Sequence, residues 1–322
     1  MADRIKAVVL AAGRSTRMKS DISKVLHPIL GKELIRYLLD SLLDCGLEPE
    51  DIVVVVGDNR AEIEKVIGGR FLFARQHEQL GTAHALLSAA AQVAAHEGGL
   101  LVLVGDNPYI TAAELRKLIA AHRQGGAACT FISAVFPGDI PPFGRVVRDG
   151  GGNVQRIVEE KDASPGERLI REVNASIYLF DNPRVFPLLS RIGNDNAKKE
   201  YYLTDIIALL RRENLVVEAV QADDRDLALG INDRRDLQEA QQKFNLRIQR
   251  QLMLENGVTI LQPETVTIEP DVEIGRDTVI YPCTYLGAGT RIGKSCAIGP
   301  FACLKNVRVA DNEKLEFVRK QG

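Results

Sequence analysis

A doubly wound α/β sheet followed by a short parallel β-helix is the fold this sequence predicts, and two patterns predict it. Through the first half, short apolar runs alternate with stripes of aliphatic residues at helical spacing. Near the end, Ile268, Ile274, Ile280, Leu286, Ile292, Ile298 and Leu304 recur every six residues. The 322 residues leave room for two domains, and 45% hydrophobic with 26% charged content is ordinary for a globular chain. A net charge of −2 provides no global field for nucleic acid. No apolar run is long enough to cross a bilayer, and the charged Met1 to Lys6 leads straight into a strand, so neither a membrane anchor nor a signal peptide is expected. Cys45, Cys129, Cys283, Cys296 and Cys303 form no C-x-x-C pair and read as reduced thiols of a cytoplasmic protein.

The elements follow in order. Ala7 to Leu10 is an apolar strand. Lys32 to Asp44 carries Leu34, Ile35, Leu38, Leu39, Leu42 and Leu43 at helical spacing, with Gly46 placed to end the helix. Asp51 to Val56 is a continuous apolar run before Gly57, the pattern of a parallel strand buried on both faces. A short helix (Arg60 to Ile67), a short strand (Phe71 to Ala74) and an Ala-rich helix (Thr82 to Ala95) come next. Leu100 to Val104 is a second buried strand, ending in Gly105-Asp106. Thr111 caps a helix running to Gln124, with Glu114 in capping-box position. Ala127 to Val135 is a further strand. Val146 to Arg148 and Asn153 to Val158 flank Asp149-Gly150-Gly151-Gly152 and predict a hairpin. Ser176 to Phe180 and Val216 to Gln221 are strands, and Thr204 to Arg212 is a helix. Asp233 to Leu254 is polar and helical, which divides the chain into a first domain over 1–230, a connecting helix over 231–256 and a repeat domain over 257–322.

Within the repeat, Val272, Thr278, Thr284, Thr290, Cys296 and Ala302 stand four places after the first six aliphatic positions, and Gly275, Gly287, Gly293 and Gly299 follow four of them. That is a hexapeptide pattern, with three hexapeptides to a coil and about two coils expected. So short a stack leaves open ends, to be capped by Leu315, Phe317 and Val318 or covered by association of subunits.

Residues 6–24 carry the densest chemical signal. The first strand runs into the small-residue turn Ala11, Ala12 and Gly13, and Arg14, Arg17, Lys19 and Lys24 follow. Small residues let backbone N–H groups approach a phosphate, and cations neutralise it. The same residues also make a plain turn with solvated basic side chains, and the stretch alone leaves both readings open. Asp106 lies just past the carboxyl end of a central strand, the edge where open α/β sheets place ligands. A carboxylate there suits Mg²⁺, which takes hard oxygen ligands and shares them with phosphate, or else it caps a turn. Asn232, ahead of a helix, reads equally as a cap. Gln76, Gln79, Gly81 and Thr82 lie in one segment between a strand and a helix; amide side chains can read a base edge, although the composition is also that of a polar loop. His77 and His84 have no partner at metal spacing and read as structural or solvated.

Taken together and in order, Leu10-Ala-Ala-Gly13, Thr16-Arg-Met18, Lys24-Val-Leu-His27, Glu78-Gln-Leu-Gly-Thr82, Gly105-Asp106, Phe143-Gly-Arg145, Ile157-Val-Glu159, Glu172-Val-Asn174, Glu200-Tyr-Tyr-Leu-Thr-Asp205 and Gly230-Ile-Asn232 resemble the nucleotidyltransferases that activate sugar 1-phosphates. The resemblance is closest to the bacterial GlmU-type N-acetylglucosamine-1-phosphate uridyltransferases, and it covers almost the whole chain. It implies the nucleotide-diphospho-sugar transferase fold, a Rossmann-like doubly wound mixed sheet, followed by a left-handed β-helix. It implies transfer of UMP from UTP to N-acetylglucosamine 1-phosphate. Asp106 and Asn232 would hold Mg²⁺, and Arg17 and Lys24 would bind the triphosphate. Leu10, Ala11, Ala12 and Gly13 with Gln76, Gln79, Gly81 and Thr82 would hold the nucleotide. Gly144, Glu159, Asn174, Tyr202 and Thr204 would line the sugar-phosphate pocket. Its partners would be these two substrates, with no nucleic acid and no membrane, and the β-helix would carry homo-oligomerisation as a trimer.

The chain departs from the family at several positions. Ser15 stands for a second loop glycine, Ser23 for a proline before Lys24, Ser176 for a glycine two places after Asn174, and Asn107 and Tyr109 alter the surroundings of Asp106. Long relatives acetylate glucosamine 1-phosphate on further coils, with an arginine near Leu304-Lys305. This sequence stops at Gly322, and no acetyltransferase activity is expected. The alternatives to the leading reading are a nucleotidyltransferase for another sugar 1-phosphate, a non-catalytic nucleotide-sugar-binding scaffold, or an acyltransferase working through the β-helix.

Overall fold

A computed structural model describes residues 4–13 and 16–322. Arg14 and Ser15 lie outside the described residues, and with them the expectations placed on those two side chains. The chain forms two compact units. One comprises the residues up to Leu26 together with Leu34–Ile231, the other His27–Glu33 together with Asn232–Gly322.

The first unit is built on nine strands: β1 (Ile5–Leu10), β2 (Ile52–Val56), β3 (Leu72–Arg75), β4 (Gly99–Val104), β5 (Cys129–Val135), β6 (Arg145–Arg148), β7 (Val154–Val158), β8 (Glu172–Asp181) and β9 (Val217–Gln221). The main path runs β9-β5-β8-β4-β1-β2-β3, with the β6–β7 hairpin attached through β8. All neighbours on that path are parallel except β8, which is antiparallel to both β4 and β5. The sheet is therefore mixed, as expected. Alternation along the strands feeds two cores: Ala7, Val9, Leu101 and Leu103 join Leu38 and Leu42 on one face, and Val8, Leu100, Val102 and Phe131 join Leu86 and Ile206 on the other.

Among the described residues, five α-helices of six residues or more flank this sheet: α1 (Leu34–Asp44), α2 (Arg60–Ile67), α3 (Thr82–Leu87), α4 (Ala112–Gly125) and α5 (Asp205–Arg212). Leu34, Ile35, Leu38, Leu39 and Leu42 of α1 are all buried, each contributing at most about 1.5–3 kcal/mol relative to exposure. Thr111 caps α4 by accepting from the Glu114 N–H. The helix expected over Thr82 to Ala95 is broken: α3 ends at Leu87 and a separate turn covers Ala90–Val93. At the break, the Ser88 hydroxyl donates back to His84 O at 2.9 Å, the local bonding by which serine competes with a continuous helix. The strand expected over Ser176 to Phe180 is longer at both ends.

The topology makes a switch point between β1 and β4, because the path proceeds from β1 through β2 and β3 on one side and through β4 on the other. Leu10 pairs with Val104 at the carboxyl ends of these two strands. Gly105 N–H donates to Leu10 O, and Ala11 N–H donates to Val55 O, each at 2.8 Å. The turn after β1 and the Gly105-Asp106 turn are thus fixed side by side.

The second unit opens with α6 (Arg234–Glu255), capped by Asp233, whose side chain accepts from Arg235 and Asp236 N–H. A small hairpin of Pro28–Ile29 and Lys32–Glu33 belongs to this unit. The remainder is the stack of short parallel strands of a left-handed β-helix. Ile268 pairs with Leu286 and Leu286 with Leu304, eighteen residues or three hexapeptides apart. Every aliphatic repeat position is buried, as are Thr278, Thr284, Thr290, Cys296 and Ala302. The stack is taller than the two coils expected. Its three sheets hold four, four and three strands. The extra strands were hidden because they leave the six-residue spacing: Thr259–Ile260 precedes the run, and Ile298 pairs with Leu315 one residue short of eighteen. Leu315 therefore continues the ladder rather than capping it. Phe317 is exposed and stacks on Phe301 with ring centroids 5.5 Å apart.

Candidate active site

A cavity of about 730 Å³ opens at the switch point of the first unit. Leu10, Ala11, Ala12 and Gly13 form one wall, Lys24 and Asp106 another, and Gln76, Gln79, Gly81 and Thr82 a third. The segments that the sequence singled out separately thus meet in one place.

Each wall is tied down. Asn59 Nδ2 donates to Ala11 O at 3.0 Å and to Ser23 Oγ at 2.9 Å, while its Oδ1 accepts from Gly57 N–H. Ser23, which replaces a ring-restricted proline, is therefore held by a side-chain bond instead, and the segment leading to Lys24 keeps an anchor. Asn59 was not singled out from sequence, although an asparagine two places after a strand-ending glycine is an Asx-turn signal. Lys24 Nζ is ion-paired with Asp106 Oδ2, both side chains being mostly shielded from solvent. Asn107 is 1% exposed; its Nδ2 donates to Leu227 O at 2.7 Å and its Oδ1 accepts from Tyr109 N–H. Ile231 N–H donates to Asp106 O at 2.9 Å. A Cβ on Gly230 would lie 3.3 Å from Asp106 Oδ1, so the missing side chain leaves space beside the carboxylate. Asn232 follows Ile231 and begins the second unit's longer segment, and its N–H donates to Asp236 Oδ2.

The loop from Gln76 to Thr82 is fixed from both sides. Gln76 N–H donates to Val56 O, and Gln79 Nε2 donates to Ala12 O at 3.0 Å, while the buried Gln79 Oε1 has no partner among the described residues. Gln76 Nε2 contacts Gly81 O and His84 Nδ1. Gly81 has φ +119°, and a Cβ there would meet Tyr201 O at 2.5 Å. Tyr201 N–H donates to Leu80 O, Ala83 N–H to Tyr201 O, and Leu203 N–H to Thr82 Oγ1. The Thr82 hydroxyl is accordingly an anchor for the 201–203 segment. Glu200, on the same segment, lines the cavity, a placement not foreseen from sequence.

Four of the five residues expected around the sugar phosphate converge. Thr204 Oγ1 donates to Glu159 Oε1 at 3.0 Å, Asn174 N–H donates to Gly144 O at 2.9 Å, and a Cβ on Gly144 would lie 3.5 Å from Glu159 Oε1. Burial raises the Glu159 carboxyl above its usual range, opposed by the Thr204 bond. Ser176 adopts φ +57° where the β8 ladder shifts register between Asn174 and Tyr178. The Asn174 side chain closes this bulge, its Oδ1 accepting from Ser176 N–H and its Nδ2 donating to Tyr178 OH. Tyr202 lies within the electrostatic reach of Glu159; Lys198 Nζ lies 5.7 Å from its ring centroid, and its buried hydroxyl has no hydrogen-bond partner among the described residues. Burial, with Asp162 and Glu159 adding to it, pushes that phenol up to about 12. Arg17 is on an exposed turn, Thr16–Met18, and is not among the residues lining the cavity.

Among the described residues no group of three or more His, Cys, Asp or Glu side chains gathers as a metal cluster. Asp106, with open space beside it, is one of three carboxylates lining the cavity, with Glu78 and Glu200, and suits a cation that shares phosphate oxygens as ligands. Among the described residues, no helix is long and apolar enough to cross a membrane.

The family model of the MobA-like NTP transferase domain matches residues 7–172. Bifunctional protein GlmU of Brevibacillus brevis is 44% identical over 314 residues, covering 98% of this chain and 67% of the relative. Its counterpart from Geobacillus thermodenitrificans is 43% identical, covering 94% and 65%. That from Pelotomaculum thermopropionicum is 45% identical, covering 95% and 75%. The chain spans about two thirds of the length of the first two of these relatives.

Proposed function

The chain belongs to the MobA-like NTP transferase family and, within it, to the GlmU proteins, and from that premise we propose that it transfers UMP from UTP to N-acetylglucosamine 1-phosphate, giving UDP-N-acetylglucosamine and pyrophosphate. One observation carries the reading. A turn of small residues, a cation–carboxylate pair and two amide side chains line a single cavity at the sheet's switch point.

In this reaction an oxygen of the sugar 1-phosphate attacks the α-phosphorus of UTP in line, the bond to the β-phosphate oxygen breaks, and pyrophosphate leaves. Both reactants are anionic, so the protein's contribution is charge compensation and alignment. Lys24 and Arg17 neutralise the triphosphate. The turn from Leu10 to Gly13 brings backbone against it; a Cβ on Gly13 would meet nothing within 4 Å among the described residues. Gln76 and Gln79 read the base, with Gly81 and Thr82 holding their loop. Gly144, Glu159, Asn174, Tyr202 and Thr204 receive the sugar phosphate. Asp106 and the Asn232 side chain are the residues that would hold Mg²⁺, which when bound neutralises phosphate oxygens and orients the α-phosphate.

The five free cysteines support a reducing, cytoplasmic setting. The proposal extends to homo-oligomerisation, as a trimer, through the β-helix, where the exposed Phe301–Phe317 stack offers an apolar surface. The test of the substrate is pyrophosphate release from UTP with a panel of sugar 1-phosphates. N-acetylglucosamine 1-phosphate is expected to give the highest kcat/KM, and higher values with another sugar would reassign the acceptor.

A further inference from the structure

Both hydrogens of the Gln76 amide are committed inside the protein. Gln76 Nε2 lies 3.2 Å from Gly81 O and 3.1 Å from His84 Nδ1. A backbone carbonyl only accepts, so the Gly81 contact fixes which end of the amide is the NH₂. The second hydrogen then goes to His84 Nδ1, which is the ring nitrogen without a proton, leaving the ring proton on Nε2. Gly81 O is itself held in place by accepting from Ala85 N–H at 3.0 Å. Gln76 is 4% exposed and lines the cavity, and its Oε1 makes no hydrogen bond among the described residues. His84 is half-buried and is not one of the lining residues.

We propose that His84 is the positioning residue that sets base preference, by locking Gln76 so that only a hydrogen-bond acceptor faces the nucleotide base. The proposal rests on the uridylyltransferase reading above and adds to it a cause for choosing uracil. The pairing edge of uracil has one donor, N3–H, between two carbonyl oxygens. Cytosine has no hydrogen at N3 and carries its edge donor one position away, on the exocyclic amine. An acceptor locked opposite N3–H therefore meets a lone pair in cytosine, or draws that base out of register. Without the acceptor at His84, the Gln76 amide keeps only its Gly81 bond and turns over more readily, offering its NH₂ to cytosine N3.

The experiment is kcat/KM for UTP and for CTP, with one sugar 1-phosphate, on the full chain and on His84→Leu and His84→Asn. Leucine removes the acceptor, and asparagine can return one through Oδ1. The expected result is a fall of about tenfold or more in the UTP-to-CTP preference for His84→Leu, with His84→Asn staying within about threefold of the parent. A merely structural role would lower both nucleotides together, so an unchanged preference in a folded His84→Leu overturns the proposal. Nitrogen NMR of the imidazole in the unaltered protein decides the case if the leucine variant does not fold. A proton on Nε2 with Nδ1 bare supports the proposal, and a proton on Nδ1 overturns it. If the unaltered protein turns over UTP selectively while the preference is unmoved in the variants, the proposal fails alone. If it turns over no nucleotide, the underlying reading fails and takes the proposal with it.

Discussion

Lys24 Nζ is ion-paired with the carboxylate of Asp106, joining the segment after β1 to the turn after β4 at the wall of one cavity. Lys24 is proposed to neutralise the triphosphate and Asp106 to hold the cation that shares its oxygens, so each sets the electrostatics of the other. Asp106→Ala and Lys24→Ala are each expected to lower kcat by about a hundredfold or more, the scale of losing one preorganised electrostatic group. Because the two touch, the double variant is expected to lose less than the product of the single losses. A double-mutant cycle on pyrophosphate release checks this, and strictly multiplicative losses would show that the two act independently.

Gly81 is where the 76–82 loop meets the 200–205 segment. An alanine there would take φ +119° and place a Cβ 2.5 Å from Tyr201 O. Gly81→Ala is expected to cost about 1–3 kcal/mol of stability, measured by urea denaturation, and to raise KM for UTP. The Tyr201 backbone is the obstacle, so the cost cannot be relieved by a side-chain rotation.

Asp205 gives the fold a pH signature. Burial, reinforced by Glu159 and Asp162, pushes its carboxyl up to about 6 from the ordinary 3.8. Between these values the folded chain keeps a proton that the unfolded chain releases. The contribution to stability is therefore complete below about pH 4 and is lost as pH rises through about 6. Glu159, raised for the same first cause, acts in the same direction. Asp205→Asn is expected to be more stable than the parent above pH 6, by about 1 kcal/mol once solvent screening of this partly exposed group is allowed for, and to show no gain near pH 4. Denaturation curves across pH 4–8 check the sign.

In the β-helix the cost of a truncation should follow position in the stack. Leu286 is fully buried between strands on both sides, and Leu286→Ala is expected to cost about 2–5 kcal/mol. Leu315 is half-buried in the last strand of its sheet, and Leu315→Ala is expected to cost about 1 kcal/mol or less. Equal costs at the two positions would contradict a ladder that ends beyond Leu315.

What could be read from the sequence was whatever is written locally. The apolar runs of β1, β2 and β4 marked buried strands because a strand covered on both faces has little use for polar residues. The six-residue spacing marked the β-helix until Leu304, and failed at Thr259–Ile260 and Leu315, where the coil length changes while the pairing continues. Partnerships between distant residues left no local mark. Asn107 reaches Leu227 across 120 positions, and Asn59 reaches Ser23 across 36. His84 had no partner at metal spacing, and its role came into view only when the fold set it behind Gln76. Ser176 was visible as a departure from a glycine, and its positive φ gives the physical reason that a glycine suits that position.

The central claim is that this chain joins UMP to a sugar phosphate and releases pyrophosphate in the same step. Phosphorus NMR of the full chain with UTP, N-acetylglucosamine 1-phosphate and Mg²⁺ tests it directly. The account predicts that UDP-N-acetylglucosamine and pyrophosphate grow in equal amounts and that both stop when the divalent cation is chelated. UTP left unchanged, or consumed to UMP or phosphate with no nucleotide sugar formed, would contradict it.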